Sequence, residues 1–289
     1  MQRWILGARL RTLPAAVVPV MVGTSTAVGV GDGITWWRAV AALVVSLALQ
    51  VGVNFANDLS DGLRGTDGLD RIGPRRLVGS GLATAEEVRR AAFAAFGVAG
   101  AVGLVLSLAV APWLLLVGAA AMAAGWLYTG GPRPYGYLGL GEVFVFVFFG
   151  LVATVGSAYV QAGRITGLAI VAGSAVGLLA CALLAVNNLR DIAGDTAAGK
   201  RTLAVRIGDR RARWLYVVFL DGGLVLGSLC ALSRPWCLLA LGGALPAGAA
   251  VRAVLGGAAG QRLIGVLALT GRTQLVAGTL LSLGLVLSG

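Results

Sequence analysis

Residues 36–67 read WWRAVAALVVSLALQVGVNFANDLSDGLRGTD. The stretch begins with an apolar run long enough to cross a hydrocarbon core of roughly 30 Å as a helix. It ends in amides and carboxylates: Asn54, Asn57, Asp58 and Asp61, then Arg64 and Asp67. Asn54, Asp58 and Asp61 stand at i, i+4 and i+7, so on a helix they project from one face. The reading is a membrane span that carries hard oxygen ligands to its polar end.

The rest of the chain has the same character. Of its 289 residues, 58 % are apolar, and the 45 glycines bring that share to about three quarters. Charged residues are only 12 %. These values exclude a soluble globular enzyme and a disordered chain, and point to an all-α, polytopic membrane protein. With no histidine in the sequence, a His-based triad, an imidazole base and a His-ligated metal are excluded. Cys181, Cys230 and Cys237 have no metal-ligand spacing and read as small buried apolar side chains.

Hydropathy gives nine spans, at about 13–31, 36–56, 88–110, 113–129, 143–161, 167–187, 213–232, 236–255 and 273–288. The formal charge of +11 suggests nucleic acid at first sight, but its distribution argues against that partner. Nine spans put 20 of the 23 basic residues on one side and only Arg38, Arg164 and Arg234 on the other. By the positive-inside rule the N-terminus is cytoplasmic and the C-terminus outside. Ten of the twelve acids fall at or beside the cytoplasmic face as well, although acids contribute little to orientation.

A second acidic motif closes span six: Asn187-Asn188-Leu-Arg190-Asp191-Ile-Ala-Gly-Asp195, then Lys200 and Arg201. Asn188, Asp191 and Asp195 again share a helix face. The two motifs begin 133 residues apart, at the second members of two four-helix sets. Together they read as an internal duplication facing one cavity, with the ninth span added. Carboxylates and amide oxygens suit Mg²⁺, which keeps waters and binds one or two carboxylates with substrate phosphate oxygens. The expected metal ligands are Asn54, Asn57, Asp58, Asp61, Asp67, Asn188, Asp191 and Asp195. Asp58, Asp61, Asp191 and Asp195 are the expected catalytic set. Arg64, Arg190, Lys200 and Arg201 lie close enough in sequence to hold the rest of a diphosphate.

At these residues the sequence resembles the UbiA superfamily of intramembrane aromatic prenyltransferases. That family carries NDxxD and DxxxD motifs, here Asn57-Asp58-Leu-Ser-Asp61 and Asp191-Ile-Ala-Gly-Asp195. The stretches ARLRTLPAAVVPV (8–20), NFANDLSDGLRGTD (54–67), YTGGPRPYGYLGLGE (128–142) and NNLRDIAGDTAAGKRTLAVRIG (187–208) are similar to the branch that prenylates 1,4-dihydroxy-2-naphthoate. A further Asp of the wider family's first motif would fall on Gly65, with Asp67 nearby in its place. The family's Tyr-x-x-x-Lys becomes Tyr128 with Pro132, then Arg133.

The resemblance implies a single membrane-embedded prenyltransferase domain over 1–289, in a bacterial plasma membrane with a cytoplasmic site. It implies transfer of a polyprenyl group from polyprenyl diphosphate, assisted by Mg²⁺, to 1,4-dihydroxy-2-naphthoate with loss of CO₂, giving demethylmenaquinone. Tyr128 and Arg133 join the diphosphate contacts, and Arg9, Arg11 and Glu142 are the acceptor candidates. Phe55, Phe144, Phe148 and Tyr159 are candidates to shield a carbocation. The competing readings are another aromatic acceptor within the family and a cation-coupled transporter with repeats and intramembrane acids.

Overall fold

The structure is a computed structural model describing residues 2–30, 33–65 and 76–289. The described residues are helical, without strands. Helix α1 (Gln2–Ala8) and a 3₁₀ turn (Leu10–Thr12) meet α2 (Pro14–Thr26) at a 53° bend. Pro14 suits that junction, because a first-turn proline has no hydrogen bond to lose. Then come α3 (Trp36–Leu63), α4 (Ala85–Val110) and α5 (Leu114–Leu127). A capping box between Thr84 and Glu87 starts α4, and Pro112 stands in the short break before α5.

The next crossing is composite: α6 (Gly141–Val145), a π-helical segment (Phe146–Val152) and α7 (Ala153–Ala162). After α8 (Gly167–Ala197) and the short α9 (Leu203–Ile207) comes α10 (Asp209–Leu229). It is continued by a 3₁₀ turn to Leu232, a 3₁₀ stretch (Pro235–Gly243), α11 (Ala244–Leu255) and α12 (Arg262–Leu287).

Seven helices among the described residues are long and apolar enough to cross a membrane, and the bent pair at the N-terminus makes an eighth. Helix α5 has 14 residues, about 21 Å of rise. Two span boundaries differ from the hydropathy reading in an instructive way. Helix α8 runs ten residues past the expected end at 187, and α12 starts eleven residues before 273. Hydropathy marks the part of a helix that matches hydrocarbon; the backbone pairing continues into polar sequence.

Helix α8 is the most buried span and packs on α10, α12 and the π segment. Close packing there depends on glycine. A Cβ on Gly150 would lie 2.5 Å from the Cα of Gly177 and 2.9 Å from the carbonyl of Gly173, so side chains on this contact would force the helices apart. Outward residues such as Leu116, Leu232 and Leu245 are 75 %, 88 % and 84 % exposed, as lipid-facing residues must be. All three cysteines are free and buried.

Candidate active site

A cavity of about 880 Å³ lies within the helices. Its walls are mostly apolar, from Leu49, Val53, Leu104, Met122, Phe148 and Val152. One end is ionic, where Asp61 of α3 meets Asp191 and Asp195 of α8 and Lys200 beyond it. Two local features deliver that geometry. Helix α3 extends through its acidic motif to Leu63, and α8 does the same to Ala197. Gly199 then adopts φ +71°, a left-handed helix exit that glycine takes without strain. The turn brings Lys200 back, its backbone N–H donating to the Asp195 carbonyl at 2.8 Å.

Asp61 is 3 % exposed. It accepts from Lys200 Nζ at 2.8 Å and Tyr137 Oη at 2.7 Å, and pairs with Arg76 at 3.5 Å. The Tyr137 ring lies against two cations, Arg64 at 5.1 Å and Lys200 at 4.8 Å from its centroid. Burial raises the Tyr137 phenol pKa, and the Asp61 carboxylate adds to the rise. Burial disfavours the Lys200 ammonium, but Asp61 overrides it and the Lys200 pKa lies above the ordinary lysine value. Asp191 takes a two-point contact from Arg190, at 2.6 and 2.7 Å. Thr202 Oγ1 donates to Asp195 at 3.4 Å.

The other expected ligands divide. Asn57 and Asn188 line the cavity. Asn57 Oδ1 accepts from Thr129 at 2.7 Å, and Asn188 Nδ2 donates to Glu142 at 2.9 Å. Asn54 also lines it, with its amide donating to the Ala8 carbonyl and Thr12. Asp58 lies elsewhere. It is 1 % exposed, and its two oxygens accept the backbone N–H groups of Leu77 and Val78 at 2.8 and 2.9 Å. It therefore anchors the 77–80 turn, which a lone helix-end carboxylate in the sequence gives no hint of. Asp67 lies outside the described residues.

Of the expected diphosphate contacts, Tyr128, Arg190 and Lys200 line the cavity. Arg64, Arg133 and Arg201 are exposed and lie off the lining; Arg64 donates to the Gly131 carbonyl. Arg9 and Arg11 line the cavity, whereas Glu142 is buried behind Asn188. Arg9 is the one non-glycine residue with positive φ among those described, at +52°, a conformation that costs energy and often marks a working site. Phe144 and Phe148 face the cavity. Phe55 instead packs edge-on against Trp4, and Tyr159 accepts from Trp113 Nε1.

Arg76, Thr129, Tyr137 and Thr202 are cavity residues that the sequence reading missed. Arg76 was hidden in a basic loop that the positive-inside rule alone explained. Tyr137 was inside a quoted block without a motif position of its own.

The donors present fit a divalent cation of the hard kind: carboxylates of Asp61, Asp191 and Asp195 with amides of Asn57 and Asn188, and neither thiolate nor imidazole. Among the described residues no three acidic side chains are already drawn together at ligand distance; Lys200, Arg76 and Arg190 hold them in ion pairs.

The sequence matches the model of the UbiA prenyltransferase family over residues 16–285. The chain belongs to that family. It is 50 % identical over 274 residues to a 1,4-dihydroxy-2-naphthoate octaprenyltransferase of Mycobacterium tuberculosis (strain ATCC 25618 / H37Rv), covering 95 % of this chain and 93 % of the relative. The Escherichia coli (strain K12) protein of the same name is 39 % identical, over 81 % and 79 %. The fold is shared with a UbiA homolog from Archaeoglobus fulgidus bound to GPP and Mg²⁺, at a TM-score of 0.65 and 15 % identity, covering 97 % and 99 %. A UbiA homolog from Aeropyrum pernix K1 gives a TM-score of 0.72 at 15 % identity, over 93 % and 95 %. This chain is thus a multi-pass membrane protein of the UbiA prenyltransferase family.

Proposed function

We propose that the chain transfers a polyprenyl group from polyprenyl diphosphate to 1,4-dihydroxy-2-naphthoate with decarboxylation, on the path to demethylmenaquinone. The observation that carries the reading is the two-part cavity, an ionic mouth over an apolar chamber, in a sequence 50 % identical to a naphthoate octaprenyltransferase across 95 % of its length. An isoprenoid tail gains roughly 0.8 kcal/mol per buried CH₂ in apolar surroundings, so the chamber suits the tail and the mouth its anionic head.

Each end does separate work. Arg190 and Lys200 line the mouth and meet the diphosphate oxygens, Lys200 exchanging its Asp61 contact for one of them. Asp61, Asp191 and Asp195, with Asn57 and Asn188, are the residues that would hold Mg²⁺. When bound, Mg²⁺ supplies neutralisation of the charge that builds on the leaving diphosphate. The allylic C–O bond breaks and its electron pair leaves with the diphosphate. Phe144, which stacks on Tyr135 at 3.8 Å, and Phe148 line the chamber, where aromatic rings stabilise a nearby cation. The acceptor carbon bearing the carboxylate forms the new bond. Loss of CO₂ returns its bonding pair to the ring, giving the quinol form of demethylmenaquinone. No proton leaves that carbon, so a site without histidine suffices.

The same reading takes the chain as one membrane-embedded domain over 1–289 with nine crossings, in a bacterial plasma membrane with the mouth cytoplasmic. Helix α5 is the short crossing: it begins beside Trp113, bonded to Tyr159 at the end of α7 remote from the mouth, and it ends at Tyr128 and Thr129 in the mouth. The two-repeat arrangement is supported by the pairing of α3 with α4 and of α8 with α10, each pair led by an acidic helix end. A transporter would place its acids near mid-helix. Here they lie in the last turns of α3 and α8.

The test is purified protein with polyprenyl diphosphate, Mg²⁺ and either 1,4-dihydroxy-2-naphthoate or 4-hydroxybenzoate. Naphthoate is expected to be consumed with stoichiometric CO₂ and a lipid quinol. Faster prenylation of 4-hydroxybenzoate, with its carboxyl retained, would overturn the acceptor assignment.

A further inference from the structure

Glu142 stands in the first turn of α6 and is 5 % exposed. It is not on the cavity wall, so it does not touch the acceptor for which the sequence nominated it. The start of α6 is set tightly on α8. Cys181 Sγ donates to the Glu142 carbonyl at 3.2 Å, and a Cβ on Gly141 would lie 3.1 Å from the Leu184 side chain. Two turns further along α8, Asn188 Nδ2 donates to Glu142 Oε1 at 2.9 Å. Glu142 Oε2 is buried with no partner among the described residues. The helix dipole favours an acid in a first turn whether or not it is buried. Burial with one oxygen unpaired costs stability, so the dipole does not account for this placement.

What the contact fixes is the direction of an amide. An asparagine side chain has a carbonyl end that accepts and an NH₂ end that donates, and the two are nearly alike in shape. A carboxylate only accepts, so it takes the NH₂ end. Asn188 lines the cavity and Glu142 stands behind the wall, so Oδ1 is the end left for the cavity. Among the described residues no donor reaches that oxygen. The amide of the first motif differs, since Asn57 Oδ1 already accepts from Thr129 at 2.7 Å. Direction matters because only the carbonyl end is a ligand for a hard cation, whereas the NH₂ end would point positive hydrogens at it. We propose that Glu142 is a positioning residue, holding the Asn188 amide with its oxygen toward the ionic end of the cavity for a divalent cation. The inference rests on the Mg²⁺ reading above. Sequence alone offers no route to it, because Glu142 and Asn188 lie 46 residues apart.

The experiment is a thermal-shift titration of the purified full-length protein with Mg²⁺ in the presence of a non-hydrolysable prenyl diphosphonate, a readout independent of turnover. The variants are Glu142→Gln, Glu142→Leu and the exchange Glu142→Gln/Asn188→Asp. Glu142→Gln should raise the Mg²⁺ concentration for half-maximal shift about tenfold, because the introduced amide meets either end of Asn188; Glu142→Leu should raise it further, toward about a hundredfold. The exchange reverses the bond: the introduced amide donates, and the introduced carboxylate keeps one oxygen for the cavity. It should return the Mg²⁺ requirement to the wild-type level or below. If Glu142→Leu does not fold, Glu142→Gln and the exchange decide. Variants that shift the Mg²⁺-free melt but need no more Mg²⁺ than wild type would overturn the proposal, since that is the signature of packing alone. So would a folded exchange variant as impaired as Glu142→Gln. Absence of any Mg²⁺ shift in wild type would overturn the Mg²⁺ reading and this inference with it, whereas a normal wild-type shift with unaltered variants overturns this inference alone.

Discussion

Lys200 donates to Oδ1 of Asp61 at 2.8 Å across 139 residues of sequence. The bond joins the end of α3 to the turn after α8, so the two acidic motifs are one site held by an ion pair. Both partners are nearly buried, with side chains 12 % and 5 % exposed. Breaking a buried pair costs more than a surface bridge is worth, because one charge is left behind.

Asp58 and Asp195 should separate structure from chemistry. Asp58→Ala strands the buried backbone N–H of Leu77 and the part-buried one of Val78, and a stranded buried donor costs about 1–3 kcal/mol. The expected outcome is a fall in thermal midpoint of several degrees in detergent. Asp195→Asn should leave the midpoint nearly unchanged and reduce turnover by about a hundredfold or more, since transition-state charge stabilisation is worth several kcal/mol. Melting curves and turnover on the same samples decide it.

Lys200→Met should raise the KM for prenyl diphosphate with little change in that for the acceptor, the pattern of lost binding to one substrate. Lys200→Arg should recover part of the loss, because a guanidinium also contacts phosphate oxygens. Equal KM changes for both substrates would show that Lys200 acts only by holding the mouth together.

Chelation should abolish turnover, and added Mg²⁺ should restore it. A binding readout independent of turnover is the thermal shift produced by Mg²⁺ with a non-hydrolysable prenyl diphosphonate. That shift is expected in wild type and absent in Asp61→Asn.

Arg9 offers a test free of folding artefacts. Its φ of +52° is easy for glycine and strained for alanine. Arg9→Gly should therefore melt at or above the wild-type temperature, and Arg9→Ala at or below it. If the guanidinium holds the acceptor carboxylate, both should raise the acceptor KM to a similar extent. A change confined to Arg9→Ala would assign the residue to backbone geometry alone.

Orientation is accessible by labelling in a cysteine-free background. A cysteine replacing Ile165 should react with an impermeant thiol reagent in intact cells, and one replacing Ala259 should be shielded. Both positions are exposed in loops or at element ends. The reverse pattern would put the mouth of the cavity outside.

The sequence made the membrane class legible because lipid imposes one requirement, long apolar helices, that hydropathy reads directly. Hydropathy alone stopped the spans at 56 and 187, while the helical spacing of Asn54, Asp58 and Asp61 and of Asn188, Asp191 and Asp195 already carried helix through both motifs, as α3 and α8 do. The meeting of Asp61, Asp191 and Asp195 at one cavity followed from motif spacing and matching positions in two halves. The role of Asp58 did not. Helical periodicity puts it with Asn54 and Asp61, but the 77–78 backbone competes for its oxygens, and no local pattern announces a partner nineteen or twenty residues away. Arg76 and Tyr137 were illegible for the same reason: each reaches Asp61 through tertiary folding.

The cavity's two-part lining also governs how the products separate. In the proposed reaction the prenyl donor is gripped at both ends, head by the ionic mouth and tail by the apolar chamber. Bond formation cuts that tether. Inorganic diphosphate keeps only the affinity of the mouth, which faces water, while the prenylated ring keeps only that of the chamber. One chemical step thereby partitions its two products into different phases, diphosphate to solvent and quinol to lipid. Neither exit has to be powered, and the dilution of each product in its own phase draws the reaction forward.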